Sequence, residues 1–159
     1  MMKVGTRIPN AEVYVAGQDG PSKVATAELL KGKRAVLFSV PGAFTPTCSA
    51  KHLPGYVERI DAFKSKGVDT IACVSVNDVF VMSAWAEQEK AQDSILMIAD
   101  GNCRFVRAMG LEANQSERGM GWRAQRAAIV LDDRVVTHLF IEPKGSFSVS
   151  SADHVLAAL

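Results

Sequence analysis

The 159-residue chain reads as one α/β domain, a central mixed β-sheet flanked by helices on both faces. Three observations predict this. Short runs of almost continuous apolar residues recur, as strands buried on both faces require. Segments with apolar residues at helical spacing lie between them, giving a β-α-β-α-β order and hence parallel strands joined by crossovers. Two later runs meet across Asp132-Asp133, a hairpin turn that adds an antiparallel pair.

Taken in order, residues 12–15 are expected to form an edge strand. Residues 35–40 (Ala-Val-Leu-Phe-Ser-Val) are the clearest buried strand. Residues 48–66 carry Leu53, Val57, Ile60 and Phe63 on one helical face, and Gly67 ends the helix as a C-terminal cap. Residues 68–76 are rich in β-branched residues and predict a strand. Asp78 caps a helix over 78–90. Residues 94–99, 127–131 and 135–141 are further strands, and 100–126 is loop-rich. A short helix over 151–159 takes Ser150 or Ser151 as its cap. Nothing resembles a repeat or a linker, so residues 1–159 are expected to be a single domain.

The bulk chemistry excludes several classes. Eighteen basic and seventeen acidic residues nearly cancel, so no one-signed field exists to hold nucleic acid or a membrane surface. No stretch approaches the roughly 20 apolar residues that span a bilayer. Residues 1–10 lack the apolar core of a signal peptide, which Pro9 and Asn10 interrupt. A cytoplasmic location is the expectation. The three cysteines are too few and too scattered for a disulfide framework, and with three histidines they offer no zinc-ligand spacing. No cofactor is expected. The open question is whether one cysteine is reactive.

Residues 40–49 (Val-Pro-Gly-Ala-Phe-Thr-Pro-Thr-Cys-Ser) answer it. The segment follows a buried strand and precedes a helix, and in open α/β sheets ligands bind outside the carboxyl ends of the strands. Pro41, Gly42 and Pro46 punctuate a tight loop. Cys48 falls at the first turn of the helix, where free N–H groups and the helix dipole favour an anion and hence a nucleophilic thiolate. A small apolar cysteine at a helix start is the plain alternative. Thr45 tips the balance, because its hydroxyl can fold back toward the sulfur from three residues away.

Pro41-x-x-x-Thr45-x-x-Cys48 resembles the active-site pattern of the peroxiredoxins. The longer run, with the Lys-His-Leu-Pro-Gly that follows at 51–55, is similar to the type II, or fifth-subfamily, members. Residues 73–78 (Cys-Val-Ser-Val-Asn-Asp) and 141–143 (Ile-Glu-Pro) extend the likeness over nearly the whole chain. The resemblance implies a thioredoxin-like fold and a thiol peroxidase. It makes Cys48 the peroxidatic cysteine, Thr45 the hydroxyl that holds peroxide and thiolate, Pro41 a shield over the pocket, and Arg126 the active-site arginine. Arg123 competes for that last role, but Arg126 abuts the apolar strand as the pattern requires. The substrates implied are hydrogen peroxide and alkyl hydroperoxides, and Cys48 becomes a sulfenic acid.

Regeneration needs a second thiol. Some fifth-subfamily members carry a resolving cysteine near the C-terminus, but residues 146–151 (Ser-Phe-Ser-Val-Ser-Ser) hold none. Cys73 matches a cysteine proposed to resolve in plant enzymes, yet its mid-strand position favours an inert core residue. Cys103 follows a turn-like Asp-Gly-Asn and is read as partly exposed and incidental. A one-cysteine cycle results, with glutathione and glutaredoxin, or thioredoxin, as reductant. His52 shares a helical face with Cys48; it tunes the thiolate or, on geometry alone the better reading, is a supporting or surface residue. Phe44 and residues 119–122 are candidate pocket walls or dimer contacts, and a homodimer is expected from the resemblance. Two other functions stay open: a peroxide sensor relaying oxidation from Cys48 to a partner, and an inert domain. A disulfide oxidoreductase would use the Cys-x-x-Cys that this chain lacks.

Overall fold

The computed structural model describes residues 2–17 and 19–159. Seven strands form one mixed sheet: β1 (Glu12–Gly17), β2 (Gly20–Ala25), β3 (Arg34–Ser39), β4 (Thr70–Ser75), β5 (Leu96–Ala99), β8 (Ala127–Asp132) and β9 (Val135–Ile141), in the order β2-β1-β5-β4-β3-β8-β9. Strands β3, β4 and β5 are parallel, and all other pairings in this sheet are antiparallel. A separate two-stranded ribbon, β6 (Glu112–Asn114) and β7 (Trp122–Ala124), comes from the segment read as loop. The expected mixed sheet is present. So is the hairpin between β8 and β9, whose turn residues Asp133 and Arg134 adopt φ of 44° and 71°, the left-handed region a tight hairpin needs.

The β1 strand is not the edge. It lies between β5 and β2, and β2 takes the outer position. The latter escapes a sequence reading because its Gly-Pro-Ser-Lys start carries almost no apolar signal; Pro21 is tolerated because an edge strand leaves N–H positions unpaired.

Alternation along the strands divides the core. Val36 and Phe38 of β3, Ile71 and Cys73 of β4 and Ala128 and Val130 of β8 face one side, together with α4 (Val79–Gln88) and α6 (Ala152–Ala158). Ala35, Leu37, Ala72, Val74, Ile129 and Leu131 face the other, under α1 (Thr26–Leu30) and α5 (Arg104–Ala108). Asp78 and Ser151 cap α4 and α6, accepting from Val81 N at 2.9 Å and His154 N at 3.2 Å.

The long helix expected over 48–66 is broken. A π-helical turn, Cys48–His52, is followed by α2 (Leu53–Glu58) and α3 (Ile60–Ser65), with a bend at Arg59. Proline explains the first irregularity. Pro54 has no N–H to give the carbonyl one turn back, and its ring would crowd that carbonyl, so the backbone widens just before it. Gly67, at φ 84°, ends the run as expected.

Candidate active site

The loop from Pro41 to Pro46 leaves the carboxyl end of β3 and turns sharply into the helix. Phe44 sits at φ 65° and Gly42 is packed tightly: a Cβ there would lie 3.2 Å from Thr45 Cγ2 and 3.3 Å from Arg123 Nη1. The Gly42 carbonyl accepts from the Thr45 hydroxyl at 2.7 Å. This corrects the expected direction, since the hydroxyl proton points back into the loop rather than at the sulfur. From α4, Trp85 Nε1 donates to Ser49 Oγ at 2.9 Å and braces the helix start.

Cys48 is fully buried at the start of the π turn. Arg126, in the residue pair between β7 and β8, donates from Nη2 to Cys48 Sγ at 3.2 Å. Its other terminal nitrogen, Nη1, lies 2.8 Å from His52 Nδ1. Arg123 is excluded from this role, as its guanidinium is committed to the carbonyls of Met120 at 2.8 Å and Val76 at 3.2 Å.

His52 is neither a surface residue nor a direct partner of the sulfur. It is completely buried, and its Nε2 lies 3.1 Å from the Ser150 carbonyl. Burial, followed by the neighbouring Arg126 charge, pushes its pKa down to about 3. The imidazole is therefore neutral, with Nε2–H donating to Ser150 and Nδ1 accepting from Arg126. The widened π turn presents Cys48 and His52 to the same guanidinium. Phe147 closes this layer, 5.0 Å from the His52 ring and 5.8 Å from the Arg126 guanidinium.

Among the residues expected at the site, Cys48 and Arg126 are in contact, Thr45 caps the loop beside them, and Pro41 is half-buried at the exit of β3. Cys73 is fully buried mid-strand on the same face, and burial pushes its thiol well above the ordinary range. Cys103 is buried rather than partly exposed, at 4%; it adopts φ 59° ahead of α5, beneath the core under that helix. Sequence reasoning gave no place at the site to Ser150, whose carbonyl takes the His52 proton, or to Glu142, which accepts from Ser148 N and Ser150 N. Their signal was weak: a lone acid directly after an apolar strand, and one serine among several. A cavity of about 420 Å³ opens between α3, α4 and the amino ends of β4 and β5, but none of these site residues lines it.

A buried thiol with a fixed guanidinium on its sulfur, at the carboxyl end of parallel strands, defines a thiol-based redox enzyme. Residues 3–156 match the Redoxin family model. The chain is 50% identical to "Peroxiredoxin-2E-2, chloroplastic" of Oryza sativa subsp. japonica, covering 98% of this chain and 72% of that protein. It is 43% identical to "Peroxiredoxin-2B" of Arabidopsis thaliana, over 98% and 97% of the two chains. The solved structure of reduced Prx3 in complex with H2O2 from Vibrio vulnificus superposes with a TM-score of 0.96 at 49% identity, covering 99% of each chain. The chain belongs to the peroxiredoxin family and is a thiol peroxidase of thioredoxin-like fold.

Proposed function

We propose that Cys48 is the peroxidatic residue, that hydrogen peroxide and alkyl hydroperoxides are its substrates, and that an external thiol completes the cycle. The observation that carries this is the 3.2 Å contact between Arg126 and the Cys48 sulfur. The thiolate attacks one peroxide oxygen; an S–O bond forms as the O–O bond breaks, and the leaving oxygen takes a proton to become water or an alcohol. Sulfur is oxidised by two electrons to the sulfenic acid. Charge moves from sulfur to oxygen along the way, and a guanidinium already in place stabilises both ends without reorganising. Thr45, its proton given to Gly42, offers lone pairs to the peroxide O–H. Pro41 keeps water from the sulfur.

A thiol then attacks the sulfenic sulfur, water leaves, and a second thiol frees Cys48 from the mixed disulfide. Glutathione with glutaredoxin, or thioredoxin, supplies those thiols. The full burial of Cys73 in an apolar strand supports an external reductant over an internal one. A cytoplasmic location is part of this proposal, on the low and odd cysteine count of the chain. Phe44, Phe80 and Trp122 are exposed, at 44%, 72% and 46%, on segments that converge beside the active-site loop, and this supports a homodimer through that surface.

The test is mass spectrometry of the reduced protein after one equivalent of hydrogen peroxide with a sulfenic-acid trap. An adduct on Cys48 alone is expected. A Cys48–Cys73 disulfide would make Cys73 the resolving thiol, and an unoxidised Cys48 would end the proposal.

A further inference from the structure

Arg126 is not held in place by its own strand alone. Behind it runs a chain of hydrogen bonds that ends on a buried carboxylate. Glu142, directly after β9, is 6% exposed. Its Oε2 accepts from Ser148 N at 2.7 Å, Ser150 N at 2.9 Å and Ser150 Oγ at 2.7 Å, and Oε1 accepts from Ser148 Oγ at 3.4 Å. These bonds fold residues 143–151 into a strap. The strap presents two groups to the active site. One is the Ser150 carbonyl, which takes His52 Nε2–H at 3.1 Å and the Tyr56 hydroxyl at 2.7 Å. The other is Phe147, packed on both His52 and Arg126.

We propose that Glu142 is a positioning residue, which acts through the Ser148–Ser150 strap and His52 to hold the Arg126 guanidinium against the Cys48 sulfur. The order of bonds dictates the effect. The Ser150 carbonyl selects the His52 tautomer with its proton on Nε2, which leaves Nδ1 to accept from Arg126 Nη1. With that nitrogen held, the planar guanidinium can direct Nη2 only along one line, toward the sulfur. Without the carboxylate, two backbone N–H groups and a hydroxyl lose their common acceptor. The strap then has no reason to keep its carbonyl aimed at the imidazole. A guanidinium free to drift by an ångström stabilises the thiolate and the departing oxygen less well.

This inference rests on the peroxide reading of Cys48, so one readout is chosen to be independent of turnover: the thiolate ultraviolet absorbance at neutral pH. Burial raises the thiols of Cys73 and Cys103, which keeps them neutral there, and the signal reports Cys48. Glu142→Ala is expected to lower the thiolate signal and to slow hydrogen peroxide reduction about tenfold, by the cost of misplacing a catalytic group. Glu142→Gln should restore both to within about threefold, since its amide oxygen can replace Oε2 while its NH2 donates to Ser148 Oγ. Glu142→Ala combined with His52→Leu should be no slower than His52→Leu alone, because both act along one chain. A folded Glu142→Ala protein with wild-type absorbance and rate, or effects that multiply in the double variant, overturns the proposal. If Glu142→Ala does not fold, Ser150→Ala decides: a smaller loss in both readouts supports the chain, and wild-type values overturn it. A wild-type protein that reduces no peroxide would sink the peroxide reading, while the absorbance comparison would still judge the positioning chain.

Discussion

Cys73 in β4 and Cys48 in the π turn above it share the core on one face of the sheet, and solvent reaches neither. By burial alone the two thiols are equivalent. Their partners separate them. Cys73 is flanked in β4 by Ala72 and Val74 and faces apolar side chains, so burial favours its neutral form and makes it a small apolar filler. Cys48 stands at a helix start with a guanidinium on its sulfur and a buried imidazole fixing that guanidinium. Burial therefore does not silence a thiol by itself. A dry site strengthens whatever charge partner is present, and only Cys48 has the Arg126 guanidinium bonded to its sulfur; the same charge reaches Cys73 too, but there burial outweighs it.

The largest expected effect tests this directly. Cys48→Ser should abolish peroxide reduction in a coupled turnover assay while leaving the thermal midpoint nearly unchanged. Residual turnover carried by Cys73 would erase the distinction between the two thiols. Next, Arg126→Ala should slow peroxide reduction about 10²–10³-fold, the usual cost of a lost preorganised donor. Arg126→Lys should recover only part of this, because an ammonium cannot span the sulfur and His52 at once. Stopped-flow oxidation under single turnover would separate the two variants, and equal rates would show that charge alone distinguishes Cys48.

Acid should loosen the arrangement that favours Cys48. His52 has a folded pKa of about 3 against 6.5 unfolded, so its contribution to stability is fully present above pH 6.5 and is lost as pH falls toward 3. The loss is at most about 1.4 kcal/mol per pH unit. Glu142 acts in the same direction at lower pH. Burial raises its carboxyl, but the hydrogen bonds from Ser150 and Ser148 prevail and hold it below 4.5, so its contribution is lost as pH falls through that lowered value. Urea midpoints at pH 7.5 and 5 should show the decline, and His52→Gln should flatten it. The smallest expected effect concerns the other thiol. Cys73→Ser should leave turnover with glutathione and glutaredoxin within about twofold, at a stability cost of about 1–3 kcal/mol for an unpaired buried hydroxyl. A folded but inactive Cys73→Ser protein would make Cys73 part of the cycle.

Much of this was legible in the residues. The buried strands, the hairpin turn at Asp133 and the caps at Asp78 and Ser151 follow from apolar runs and from side chains acting on their own neighbourhood. Pro41, Thr45 and Cys48 could be found because they lie within eight residues of one another, on one loop and helix start. Arg126 was found through family resemblance rather than from any local pattern. The short edge strand β2, the five-residue α1 and α5 and the β6–β7 ribbon carry too few apolar residues for periodicity to register, and packing alone makes them.

By itself the sequence determined the fold class and pointed to a candidate nucleophile at a strand end, since both depend on local patterning. Only the tertiary structure decided how Arg126 reaches the sulfur and His52 at once, why His52 is buried, and that Cys103 is enclosed. Arg126 is 78 residues from Cys48, and Ser150 is 98 residues from His52. Such pairs are joined by strand pairing and by the strap at the end of β9, and hydrogen-bond partners so far apart leave no periodic trace along the chain.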